Sequence, residues 1–304
     1  MPKGKGAKRR AYLKWKSNQK KRPRSSLSPT STTPPSTPST PSVASTPSTP
    51  STPSTPSISP TFTTLTIDDP CAVPQQCNST PLQIFPYPHP VIPGAGFPID
   101  NLPALLYEEA VNLGLVPQGF SLIHDFITPQ EEAALLAFFD NQGWDASRTQ
   151  QYGWTYNHHS GVVTQCSPPH HTLPRILQPY VKDIVEATGS ETPVQLIARE
   201  QLPGGGIVPH VDRMPAFGDH ITGISLGGWV TYAMYPIQGI DGHIVRIFIP
   251  PRSLVVMTGP ARGQWAHAIP KVREDFDWCG QPWPRTRRVS LTFRSIQVQH
   301  ATRA

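Results

Sequence analysis

The chain has 304 residues, length enough for about two domains, but 38 prolines and a hydrophobic share of 37% leave too few apolar residues for two full cores. Its formal charge of +6 is local: eleven of the 26 Lys+Arg fall between Lys3 and Arg24 with no acid among them, leaving 15 bases against 20 acids elsewhere. The basic balance thus belongs to a tail, not to a basic folded surface, and such a tail suits nuclear import or contact with a polyanion.

Residues 1–26 read as a basic disordered tail and residues 27–89 as a Ser/Thr/Pro-rich disordered linker. The linker includes the repeat STPSTPSTPSTP from Ser45 to Pro56. A single folded domain is expected over residues 90–304. Cys71, Cys77, Cys166 and Cys279 form no CxxC pair and no dense framework, so they are expected to be reduced thiols. The charged start is followed by no apolar h-region, and no apolar run is long enough to span a bilayer. The expectation is a protein of the nucleus and/or cytoplasm, not secreted, without a membrane partner and assumed to be a monomer.

In chain order, a short helix is predicted around Ala104–Leu113, ending at Gly114, and a short strand over Ser121–Phe126. Thr128-Pro-Gln-Glu131 then supplies an N-cap, an N1 proline and an N3 acid for a helix running to about Asp140. Arg175–Thr188 has apolar residues at Ile176, Leu177, Tyr180, Val181, Ile184 and Val185, a helical spacing. Strands are predicted at Val194–Gln201, Ile221–Leu226, Trp229–Tyr235, His243–Ile249, Ser253–Thr258 and Arg288–Val298. Two helices followed by many short strands predict a mainly β (α+β) domain, a double-stranded β-helix or jelly roll with flanking helices.

His210-Val-Asp212 places an imidazole and a carboxylate on the same side of an extended segment, as two cis metal ligands need. The triplet alone proves little. It gains weight from His267, which follows a predicted strand and turn (Ser253-Leu-Val-Val-Met-Thr-Gly259). Two His and one carboxylate form a facial triad with open positions for 2-oxoglutarate and O₂, unlike a closed structural zinc site. Further on, Arg288-Val-Ser-Leu-Thr-Phe-Arg294 alternates with arginine at both ends. Positions six apart share a face, so both guanidiniums can point into a barrel, where a dicarboxylate is a suitable bidentate partner.

With these blocks the sequence resembles the AlkB family of nucleic-acid oxygenases over about Gly119–Gln297. The matching segments are GFSLIHDFIT (Gly119–Thr128), QYGWTY (Gln151–Tyr156), PGGGIVPHVD (Pro203–Asp212), ISLG (Ile224–Gly227), RSLVVMTG (Arg252–Gly259), Trp265-Ala-His267 and RVSLTFR (Arg288–Arg294). The resemblance implies that His210, Asp212 and His267 bind Fe(II), that Arg288 binds the far carboxylate of the co-substrate 2-oxoglutarate, and that Arg294 lies near its chelating end. It further implies a nucleotide-recognition lid over roughly Trp144–Cys166, where Arg148, Tyr152, Trp154, Tyr156, His158 and His159 offer stacking rings and phosphate donors. His170, His171, His220 and His243 read as loop residues rather than ligands.

Two departures stand out. The family's Asn-x-Tyr before the iron pair, which contacts 2-oxoglutarate, is replaced by spacing with Arg199 and Gln201. The acid that follows the iron pair in several base-repair members is replaced by Arg213-Met214. Ser290, Ala216-Phe217 and the residues around Trp265-Ala-His267 resemble the branch containing the animal tRNA wobble-uridine hydroxylase. The expected activity is therefore hydroxylation or oxidative demethylation of an alkylated nucleobase, in RNA sooner than DNA. The alternatives are an oxygenase acting on a protein side chain and an inactive RNA-binding module.

Overall fold

The computed structural model describes residues 104–302 except 158, 215, 238–242, 278–279 and 298–300. The basic tail, the linker, the start of the domain at residue 90, His158, Cys71, Cys77 and Cys279 lie outside the described residues.

The core of the fold is a pair of antiparallel sheets. The larger has six strands in the order β1 (Phe120–Ile123), β10 (Leu254–Met257), β7 (Phe217–Gly227), β14 (Arg288–Ile296), β5 (Gln195–Gln201) and β2 (Thr149–Tyr152). The smaller orders β6 (Ile207–His210), β11 (Trp265–Ile269), β8 (Val230–Pro236) and β9 (Val245–Ile249). Two further groups, β12 (Glu274–Phe276) with β13 (Pro282–Pro284) and β3 (Trp154–Tyr156) with β4 (Val163–Gln165) and β15 (Ala301–Thr302), complete the strands. This is the mainly β double-stranded β-helix expected from the sequence.

Residue alternation on the six-stranded sheet builds two cores at once. Leu196, Ala198, Ile224, Leu226, Val289, Leu291 and Phe293 face outward and meet Leu135 and Phe139 of α2 (Pro129–Gln142) and Tyr180, Ile184 and Ala187 of α3 (Gln178–Thr188). Phe217, Ile221, Val255 and Met257 face inward to Met234 and Ile269 of the smaller sheet. Helix α2 starts as its sequence dictates: Thr128 Oγ1 accepts from the Glu131 amide at 3.2 Å, the Thr128 amide donates to Glu131 Oε2 at 2.8 Å, and Pro129 follows the cap. Its Glu132 also accepts from the Gly227 amide at 2.8 Å, fastening the helix to the end of β7.

Helix α1 is shorter than its sequence suggests, Tyr107–Asn112, because Ala104 and Leu105 spend their amides on the carbonyls of Phe276 and Arg246, both at 2.8 Å. Arg175–Leu177 form a 3-10 segment before α3, and a short α4 (Gly259–Gly263) joins β10 to β11. No helix among the described residues is long and apolar enough to cross a membrane.

Gly153 separates β2 from β3, with a φ of +79° and a space so tight that a Cβ would lie 1.8 Å from the Val194 carbonyl oxygen. Gly153→Ala is therefore expected to cost at least about 2 kcal/mol, combining backbone strain with a clash that only chain movement relieves. A urea denaturation midpoint equal to that of the unsubstituted protein would contradict this placement.

Candidate active site

Three protein ligands converge between the two sheets. His210 ends β6, Asp212 lies just beyond it, and His267 stands opposite His210 on the neighbouring β11. One ligand atom from each of these residues lies within 4.8 Å of the others. His210 Nδ1 is 3.0 Å from the Val208 carbonyl, which can only accept, so Nδ1 is the donor there and Nε2 is the nitrogen left to face a metal. Asp212 Oδ2 is buried without a hydrogen-bond partner and stands 3.9 Å from His267 Nε2.

Electrostatics hold these groups ready for a cation. Burial opposes ionisation of Asp212, but the Arg294 guanidinium, helped by His267, His210 and Arg262, outweighs it and brings the carboxyl to about 2. Burial, then the His210 ring, pushes His267 down to about 3, so its imidazole is neutral. Two imidazoles and one carboxylate, with a buried oxygen lacking a partner, fit a divalent metal, and the donor set suits non-haem Fe(II).

The arginines of β14 sit as the alternation predicts, facing inward. Arg288 donates through Nε to Ser225 Oγ at 2.9 Å and through Nη1 to Gln201 Oε1, and burial lowers its proton affinity to about 10. No carboxylate neutralises it among these contacts, and Gln201 Nε2 is likewise buried without a partner. A cation and an amide donor left over in one pocket suit an incoming carboxylate. Arg294 makes a different contact, giving Nη2 to Asp212 Oδ1 at 2.7 Å and Nη1 to Gln195 Oε1 at 3.3 Å while its guanidinium lies 5.0 Å from the Phe217 ring centre. Its first partner is thus the carboxylate of the ligand cluster, and its Nε is buried without a partner. Arg199, half-buried on β5 opposite Ser290 and Thr149, shares the inward face of the strand with Gln201.

The lid residues divide at Gly153. In a continuous strand Tyr152 and Trp154 would share a face; the positive φ between them sends the two rings to different sheets. Tyr152 packs against Phe139 in the core behind the large sheet, is 4% exposed and gives its hydroxyl to Gln150 at 2.9 Å. That corrects the expectation for Tyr152, whose ring has no face open to a base. Arg148 corrects similarly: its Nε pairs with Glu200 at 2.7 Å on the helix side of β5, away from the ligands. Trp154 and Tyr156 are partly buried and pack against the barrel cluster. Trp154 lines an open groove of about 710 Å³ with Leu173, Val181, Lys182 and Val194, and the Tyr156 ring meets Phe217 edge-on at 5.6 Å. His159 is exposed in the turn of the β3–β4 hairpin, with its amide on Asn157. His170, His171 and His243 lie outside helices and strands and outside the ligand cluster, whereas His220, expected in a loop, stands in β7, also outside the cluster.

Several contributors escaped the sequence reading. Tyr232 stacks on His267 with ring centres 5.5 Å apart and planes 9° from parallel, and burial together with the Asp212 charge raises its phenol. Ser225 and Gln195 hold the two arginines. Ser225 was detectable as a hydroxyl interrupting an apolar strand, whereas nothing local marks Tyr232 in its aromatic run.

A family model described as the 2OG-Fe(II) oxygenase superfamily matches residues 119–294. The chain belongs to that superfamily. It is an AlkB-like dioxygenase, with Fe(II) as cofactor and 2-oxoglutarate as co-substrate. This oxygenase is 34% identical over 188 residues to an uncharacterized protein of Acanthamoeba polyphaga mimivirus, a match covering 60% of the chain and 88% of the viral protein. It is 29% identical over 165 residues to the tRNA (carboxymethyluridine(34)-5-O)-methyltransferase alkbh8 of Xenopus tropicalis, covering 51% of the chain. The oxygenase spans only 25% of that relative's length. It is also 27% identical over 220 residues to the alpha-ketoglutarate-dependent dioxygenase alkB homolog 4 of Mus musculus, covering 60% of the chain and 68% of that protein.

Proposed function

We propose that this dioxygenase hydroxylates or oxidatively demethylates a modified nucleobase, in RNA in preference to DNA. The observation that carries the reading is the chain of contacts from Tyr156 on the β3–β4 hairpin to Phe217, from Phe217 to Arg294, and from Arg294 to the ligand Asp212. It sets an aromatic ring at the mouth of the metal site, where a splayed base can stack. Similarity to a tRNA-modifying enzyme supports the choice of RNA. The eleven bases between Lys3 and Arg24 suit a polyanionic partner and a nuclear address, and on the same reading the protein works in the nucleus and/or cytoplasm.

Bound Fe(II), 2-oxoglutarate and O₂ together supply oxidation of a C–H bond, with loss of CO₂ from the 2-oxo acid to give succinate. The chain's own residues do the rest. His210, Asp212 and His267 would hold the metal, and Arg288 with Gln201 Nε2 would bind the far carboxylate of the co-substrate. Arg294 keeps Asp212 ionised and oriented. Ile221, Met234 and Met257 line the barrel with apolar surface that keeps water from the reacting centre. Tyr156 and Trp154 present rings to the base.

Succinate formation measured with N-methylated single-stranded RNA, the matching DNA, a methylated peptide and no substrate tests the assignment. Stimulation by RNA above the other three is expected. Stimulation by the peptide alone would replace it with action on a protein side chain, and RNA retention without stimulated turnover would make the chain a binding module. Tyr156→Ala is expected to reduce kcat/KM for the RNA by about 5- to 100-fold, the loss of one base-stacking contact of about 1–3 kcal/mol, with the KM for 2-oxoglutarate unchanged. An unaltered kcat/KM would remove Tyr156 from the base site.

A further inference from the structure

We propose that Arg262 is a positioning residue that fixes the backbone from Asp212 to Gly218, and through it sets both the metal carboxylate and the Phe217 ring. The inference rests on the assignment of His210, Asp212 and His267 as metal ligands. Arg262 lies on α4, between β10 and β11, and is 2% exposed. All of its nitrogens are engaged with that one segment. Nε donates to the Gly218 carbonyl at 2.9 Å, Nη1 to the Asp212 carbonyl at 3.0 Å, and Nη2 to the Phe217 carbonyl at 3.2 Å. Met214 Sδ at 3.0 Å and the Arg213 carbonyl at 3.5 Å complete the set.

The segment needs such a support. It begins past the end of β6 and reaches a sheet again only at Phe217, while Arg213 and Met214 in its middle are exposed. Outside the strands, among the described residues, its backbone bonds are Ala216 N to the Arg213 carbonyl at 3.3 Å and Gln297 N to the Ala216 carbonyl at 3.1 Å, neither of which holds Asp212. Arg294 restrains the Asp212 carboxylate at Oδ1, and Arg262 restrains the same residue at its carbonyl oxygen. The residue is thereby clamped at both ends, leaving the unpartnered Oδ2 as the oxygen that would take a metal.

A guanidinium is the side chain that can do this. Its planar fork reaches several carbonyls from one fixed position, whereas an ammonium offers three donors from a single point. Burying a cation that accepts no carboxylate partner is costly. Here the carbonyls and the nearby Asp212 charge compensate. The same fork holds Phe217, whose ring touches Tyr156, so the metal ligand and the hairpin contact share one anchor.

The experiment is Mn(II) titration of the metal-free full-length protein by calorimetry, with hydrogen exchange followed across residues 212–218. Arg262→Met is expected to weaken Mn(II) binding by about 10- to 100-fold, the range for losing an outer contact to a metal ligand, and to speed exchange in that segment. Arg262→Lys, which keeps the charge but not the fork, should weaken binding to a lesser degree. In the iron-loaded enzyme kcat falls while the KM for 2-oxoglutarate holds, because Arg288 stands on β14 with its own partners. Phe139→Ala, in the core behind the large sheet, is the control: it should lower Tm comparably and leave Mn(II) affinity within about twofold, since it leaves the ligand segment untouched.

Unaltered Mn(II) affinity in Arg262→Met, or an equal loss in Phe139→Ala, overturns the proposal. Should Arg262→Met not fold, Arg262→Lys decides, with affinity equal to that of the unsubstituted protein counting against it. Failure of the unsubstituted protein to bind Mn(II) would instead refute the ligand assignment beneath it.

Discussion

Replacing His267 with alanine is expected to abolish succinate formation while leaving the protein folded, because the ring is a ligand in an open three-residue site and its neutral form carries no charge partner that must be satisfied. Asp212→Ala should abolish turnover too, with an additional effect. Its Oδ1 accepts from Arg294 at 2.7 Å, and both side chains are buried. Removing the carboxylate strands that guanidinium, a loss on the order of 3–5 kcal/mol in the metal-free protein. Comparing urea midpoints separates the two: His267→Ala close to the unsubstituted protein, Asp212→Ala well below it. Decarboxylation surviving in either variant would refute the ligand set, and equal midpoints would show that Arg294 finds another partner.

Arg288→Ala is expected to raise the KM for 2-oxoglutarate by about 30- to several-thousand-fold, corresponding to the roughly 2–5 kcal/mol lost when a buried, charge-assisted contact to a carboxylate is removed. Arg287 is the control, one residue away on the opposite face. It pairs with Glu200 of β5 and Asp140 of α2, on the helix side of the sheet. Arg287→Ala should lower stability modestly and leave the KM within about twofold, as a half-exposed ion pair contributes little. Comparable KM values for the two variants would mean that β14 is displaced by one residue from the register described.

How far the sequence led depended on whether the decisive interactions were local. The start of α2 was legible because Thr128, Pro129 and Glu131 satisfy one another within four residues. The two faces of β14 were legible because strand alternation depends on nothing beyond the strand. His210 and Asp212 were legible as a pair, and His267 by its place after a strand and turn, although only the pairing of β6 with β11 brings it to them. The lid was not legible in the same way. Its strands are short, and β2 joins the large sheet through β5, more than forty residues on. Gly153 then carries the chain from the large sheet into another, so that Tyr152, an aromatic residue in a family-like block, enters the core behind the large sheet whereas Trp154 does not. Arg148 was misread for a related reason, since the acid that captures it, Glu200, is distant in sequence. Arg262 carried no signal at all, because the carbonyls it holds are invisible in any string of side chains.

Strand β14 also constrains how this chain can change over time. Val289, Leu291 and Phe293 anchor the helices, while Arg288, Ser290, Thr292 and Arg294 alternate with them on the opposite, inward face. Substitutions on one face can accumulate with little consequence for the other, so stability and catalysis can drift independently along the same nine residues. A single-residue insertion or deletion has no such freedom. It would carry guanidiniums into the packed layer against α2 and α3 and send valine, leucine and phenylalanine into the co-substrate pocket. Length variation among descendants of this gene should therefore collect in the connections flanking β14 and be absent from the strand itself, however far its individual residues diverge.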